Sequence, residues 1–97
     1  MYGVIRMYTF DPGANAEINR KLYEIFVPFL RKVPGFVAYY WLITEDGGAS
    51  LSLFQDKAGV EASSRAAADF VGQQLASLVG TPKIIQGEVG ARAVQFQ

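Results

Sequence analysis

The sequence predicts an α+β domain: four strands in one antiparallel sheet, with two helices on one of its faces. Three observations carry that prediction. Tyr2 to Phe10 alternates in the manner of a strand, and Phe36 to Phe54 reads as a strand pair around Glu45-Asp46-Gly47-Gly48. Ala14 to Lys32 and Lys57 to Leu78 change to helical spacing. Asp11-Pro12-Gly13, Pro34-Gly35 and Gly80-Thr81-Pro82 punctuate the segments with turn residues.

On the first strand Tyr2, Val4, Arg6, Tyr8 and Phe10 share one face, and Gly3, Ile5, Met7 and Thr9 the other. The first helix places Ile18, Leu22, Ile25, Phe26, Phe29, Leu30 and Val33 inward, with Asp11 or Asn15 as its cap. Pro28 removes a backbone donor and crowds the carbonyl of Glu24, so a kink or early end is expected there. In the hairpin, Asp46-Gly47 favours a two-residue type I′ turn. Asp56 caps a second helix whose inner face holds Val60, Ala67, Phe70, Val71, Leu75 and Leu78. Lys83 to about Val94 supplies the last strand. The order β-α-β-β-α-β is the ferredoxin-like, split βαβ pattern, in a single domain spanning residues 1–97.

Composition narrows the chemistry. Apolar residues make up 51% of the chain and charged residues 19%, a globular balance. Nine basic and nine acidic residues cancel, and no basic stripe could track a phosphate backbone, so no nucleic-acid partner is expected. With no Cys there is no disulfide, thiolate nucleophile or Cys-bound metal. With no His, a Ser-His triad and a His-ligated haem are excluded, and no carboxylate spacing marks a metal site. Proton chemistry falls to Asp, Glu, Lys, Tyr, a terminus, water or the substrate. No apolar run approaches the roughly 20 residues that cross a bilayer. The N-terminal residues lack signal-peptide order, so a cytoplasmic protein without a membrane partner is expected.

A two-residue hairpin fixes which residues share a face. Leu51 and Leu53 join Phe36, Ala38, Tyr40 and Leu42; Ser50, Ser52 and Phe54 join Val37, Tyr39, Trp41 and Ile43. The leucine face is the expected seat of the helices. The Trp/Tyr/Ser face is then left as an apolar patch that monomers rarely tolerate. Packing of two such sheets face to face in a homodimer is the expected solution.

Asp11-Pro12-Gly13 after the first strand, Pro34-Gly35-Phe36 opening the second, and Leu53-Phe54-Gln55-Asp56 before an Ala-rich helix carry a family resemblance. The chain resembles, over nearly its whole length, the dimeric α+β barrel superfamily and its antibiotic biosynthesis monooxygenase-like domains. The resemblance implies a cavity between sheet and helices, or inside the barrel, lined by aromatics and a few polar groups. Members include cofactor-free oxygenases of aromatic polyketides and haem-degrading enzymes. The haem-degrading branch relies on an axial His that this chain lacks. Members often carry Trp-Glu where Phe54-Gln55 stand here. No polar catalytic set matches residue by residue, so no catalytic residue is assigned.

The candidate binding residues are Arg6, Tyr8, Tyr39, Trp41 and Ser52. Tyr39 and Trp41 offer rings to a flat aromatic ligand, or else fill a dimer core. Arg6, a permanent cation among apolar neighbours, needs a partner: an anionic ligand, or Glu88 or another carboxylate, with an ion pair the simpler expectation. Tyr8 offers a hydroxyl donor beside it, and Ser50 and Ser52 offer further hydroxyls. Two functions fit. One is a cofactor-independent monooxygenase-like protein acting on a small aromatic or polyketide-type substrate. The other is a non-catalytic ligand-binding or structural dimer.

Overall fold

The computed structural model describes residues 1–95. Its strands are β1 (Tyr2–Thr9), β2 (Phe36–Thr44), β3 (Gly47–Phe54) and β4 (Lys83–Glu88). The first helical run comprises a 3-10 turn (Pro12–Ala14), α1 (Asn15–Lys21), a π-turn (Leu22–Phe26) and α2 (Val27–Leu30); the second comprises α3 (Lys57–Phe70) and a π-turn (Val71–Leu75). The strands form one antiparallel sheet in the order β2-β3-β1-β4, the ferredoxin-like arrangement. Ile18, Leu22, Phe26 and Leu30 share one buried core with Val60, Ala67, Phe70 and Leu75, closed below by Val4 and Phe54 of the sheet.

Local chemistry accounts for the element ends. Asp11 accepts from Gly13 N at 2.9 Å and starts the first run. Asn15 does not cap: it is buried and donates to Gly47 O at 3.1 Å, tying the helix start to the hairpin. Asp56 caps α3 by accepting from Gly59 N at 3.1 Å. The irregularity expected at Pro28 falls one turn earlier. Pro28 has no N–H to offer Glu24, and the helix widens before it, with Val27 N–H reaching back to Leu22 O. Ile25 and Phe29, expected inside, are exposed beyond 40%. Strand β4 ends at Glu88, short of Val94.

The hairpin turn is Glu45-Asp46, with Thr44 paired to Gly47. Neither turn residue has positive φ, so the expected type I′ turn is absent; Gly47 takes φ 158° instead. A Cβ at Gly47 would strike the Tyr8 carbonyl, and one at Gly48 would strike the Trp41 indole.

The helices cover the face opposite to the one expected. Ser50, Ser52 and Phe54 are buried, and the Tyr39 ring meets Phe26 of the first helical run at 5.6 Å. Tyr40, Leu42 and Met7 are exposed, with Leu51 and Leu53 half-buried beside them. Two features reverse the balance. A bulge between Phe36 and Ala38 turns Phe36 onto the Phe54 side, where their rings meet at 5.8 Å. The serines also stand directly opposite the largest rings, Ser50 with Trp41 and Ser52 with Tyr39. Small residues there make room for aromatic groups that bury more apolar area than the leucines.

Candidate functional site

Arg6 lies mid-strand on β1, between Ser50 of β3 and Ile84 of β4, and only 3% of it is exposed. Its Nη2 donates to Ser64 Oγ on α3 at 2.8 Å. The expected ion pair is missing among the described residues. Among the described residues the ion pairs are Arg20–Glu24 at 2.8 Å and Lys21–Glu17 at 3.5 Å, both on the first helical run. Glu88 pairs in register with Tyr2, about 13 Å along the sheet from Arg6 at ordinary strand rise.

Two phenols stand near this cation. Burial pulls the Arg6 guanidinium below its ordinary range, while Tyr8 and Tyr39 act in the opposite sense. Burial pushes the Tyr8 phenol up against the pull of Arg6. Tyr39 is pushed up further, first by burial and then by Tyr8, with Arg6 opposing. At neutral pH the cluster is therefore one buried cation beside two neutral hydroxyls.

Arg6, Tyr8, Tyr39, Trp41 and Ser50 meet around a small void of about 20 Å³ between sheet and helices, with Phe26, Phe70 and Leu75 on the helix side. That is room for one water. An open cleft of about 450 Å³ adjoins it, sharing Arg6, Tyr8, Ala67, Val71 and Val79. Its other walls are Ser64, Gly72, Ala76, Pro82 and Ile84 among small and apolar neighbours. A third depression, about 460 Å³, runs along the β2 edge by Tyr23, Arg31, Val37 and Tyr40 and touches Tyr39 and Trp41 from outside.

Four of the five sequence-derived candidates thus come together. Ser52 is fully buried, does not line the void, and its Oγ has no partner among the described residues. Trp41 stacks on Phe10 at 6.4 Å and leans on Tyr8 at 6.0 Å, and its Nε1 is buried without an acceptor among the described residues. Its rings are already in use within the core. Ser64 was not legible in the sequence: it is one of two adjacent serines in an Ala-rich helix, and only the fold sets it opposite Arg6. No group of three or more Asp and Glu side chains gathers as a metal site among the described residues.

The same fold, a four-stranded antiparallel sheet with its helical runs on one face, occurs in solved structures of monooxygenases and of a heme degrader. No protein-family profile matches the chain, and no curated protein sequence does. Three solved structures of the same fold are informative. A monooxygenase from ActVA-Orf6 of Streptomyces coelicolor, in complex with nanaomycin D, is 14% identical; the match covers 98% of this chain and 92% of that one, with TM-score 0.76. SnoaB, a cofactor-independent oxygenase from Streptomyces nogalater, is 17% identical over 97% of each chain, with TM-score 0.73. MhuD, a heme degrader from Mycobacterium tuberculosis with two hemes bound, is 15% identical over 97% of this chain and 100% of its own, with TM-score 0.74. At these identities the likeness is one of fold.

Proposed function

We propose that this protein is a cofactor-independent monooxygenase-like enzyme acting on a small aromatic or polyketide-type substrate, held in the cleft over Arg6 and Tyr8. The observation that carries this is Arg6: a buried guanidinium with no carboxylate partner among the described residues, at the wall of a cleft of about 450 Å³. A ligand pocket of roughly 300 Å³ or more holds a drug-sized molecule. An unpaired buried cation favours negative charge that develops on a substrate oxygen. The physics is modest. A substrate that forms a stabilised carbanion reacts with oxygen itself, while the protein orients it and excludes water. For anthrone the ring CH₂ becomes a carbonyl, one oxygen atom entering the product and the other leaving as water.

The same fold in SnoaB and in the ActVA-Orf6 monooxygenase supports this chemistry. The heme degrader MhuD offers less guidance, because this chain has no His to ligate iron. Oxygen uptake with anthrone-type substrates is the test. Turnover that drops about a hundredfold in Arg6→Ala, the scale of a lost transition-state donor, is the expected result. Turnover unchanged in both Arg6→Ala and Trp41→Phe contradicts the site.

The proposed assembly is a homodimer through the exposed sheet face carrying Tyr40, Leu42, Met7 and Ile85, an apolar patch of the kind that monomers rarely leave in water. A cytoplasmic location fits a chain without cysteine, and no helix among the described residues is long and apolar enough to cross a membrane. A non-catalytic ligand-binding or structural dimer is the second reading, favoured by the small void of only about 20 Å³ between sheet and helices.

A further inference from the structure

Among the described residues, the cleft over Arg6 presents a cation and hydroxyls and no group that would take a proton at neutral pH. Its walls are Arg6 and Tyr8 from β1, Ser64 and Ala67 from α3, and Thr81 and Ile84 on the β4 side, the remaining lining being Ala, Gly, Val and Pro. No Asp, Glu or Lys is among them, and the chain has no His. The titratable groups facing Arg6 are Tyr8 from its own strand and Tyr39 from β2; α3 contributes the hydroxyl of Ser64, and the β4 side contributes Ile84.

We propose that this cleft is an anion seat that takes its ligand already ionised: a planar organic acid whose negative oxygen meets Arg6 beside Ser64 and Tyr8. This rests on the cleft being the ligand site, and it adds the charge state and chemical class of the ligand. The physical reason is twofold. A buried guanidinium binds a carboxylate, phenolate or enolate through charge-assisted hydrogen bonds, and a neutral isostere leaves it without a counter-ion. Deprotonation on the protein would require a base within hydrogen-bond reach of the acid, and the walls hold none among the described residues. Both phenols stay neutral through the physiological range because burial raises them, so they serve as donors. Affinity therefore follows the ionisation of each ligand and not that of a protein group. Small and apolar walls suit the ligand's aromatic body.

Titration calorimetry of the full chain with 1-naphthoate and 1-naphthamide, two ligands of nearly equal shape, tests the proposal. Naphthoate binding about tenfold or more tightly, one decade being about 1.4 kcal/mol, is the expected result. The preference collapses in Arg6→Gln and weakens severalfold in Ser64→Ala, with far-ultraviolet circular dichroism unchanged. If Arg6→Gln fails to fold, the wild-type pair together with Ser64→Ala still decides. A second arm compares 1-naphthol with 2,4-dinitro-1-naphthol across mildly acid to mildly alkaline pH. 2,4-Dinitro-1-naphthol, already ionised throughout that range, is then bound with flat affinity, whereas 1-naphthol binds more tightly only as pH rises towards its own ionisation. Equal affinity for acid and amide, or the same pH dependence for both naphthols, overturns the proposal. An anion preference without oxygen uptake would overturn the oxygenase and leave the seat standing; oxygen uptake without the preference would do the reverse.

Discussion

The Trp41 indole lies directly over Gly48 on the neighbouring strand, in space that any Cβ at position 48 would occupy. That contact holds the indole against Phe10 and Tyr8, and so fixes one wall of the void beside Arg6. Gly48→Ala must displace a ring packed on both strands. A loss of about 1–3 kcal/mol, the usual range for overpacking, is expected in urea denaturation. A variant as stable as the parent would mean that the indole sits elsewhere.

Arg6 is held against its own solvation preference, so function and stability oppose each other there. Arg6→Met removes the buried charge and keeps most of the stem volume. The variant is expected to unfold at equal or higher denaturant concentration than the parent, by up to about 2 kcal/mol, while losing its anion preference. A loss of several kcal/mol would show that the guanidinium is paired in solution.

The phenols give a pH signature. In the unfolded chain Tyr8 and Tyr39 ionise near the ordinary value of 10.0; in the fold both ionise later. Between those values the folded state holds more protons than the unfolded one, so stability falls as pH rises. The contribution is full below pH 10.0 and is lost progressively above it. Urea midpoints measured upward from about pH 9 should decline, and Tyr39→Phe should flatten the decline. An equal slope in that variant would place Tyr39 in water.

How much of this was legible in the sequence differs from part to part. Periodicity and turn residues located every strand and both helical runs, because those signals are local. The sheet face was misassigned because a Leu51/Leu53 pair outscores a Ser50/Ser52 pair when each is read along its own strand. Burial is decided across strands, where Ser50 opposes Trp41 and Ser52 opposes Tyr39. The bulge that moves Phe36 has no local marker, and neither does the turn choice of Glu45-Asp46. Arg6 was visible as a cation with apolar neighbours. Its missing counter-ion and its contact with Ser64, 58 residues away, exist only in three dimensions.

The corrected faces move the proposed dimer contact to Met7, Tyr40, Leu42 and their half-buried leucine neighbours. Light scattering at micromolar concentration is expected to give a dimer for the parent. The double variant Leu42→Glu/Leu53→Glu is expected to give a folded monomer, since facing carboxylates would be desolvated. A parent that stays monomeric over the whole concentration series removes the assembly.

The cleft over Arg6, and not the β2-edge groove, is the proposed seat of an aromatic ligand held through its oxygen. A crystal structure of the protein with 1-naphthoate tests it most directly. The predicted result is a carboxylate within hydrogen-bond distance of the Arg6 guanidinium and Ser64 Oγ, with the ring along Ala67, Val71 and Val79. A ligand seated by Tyr23 and Val37, with the Arg6 cleft holding only water, would contradict it.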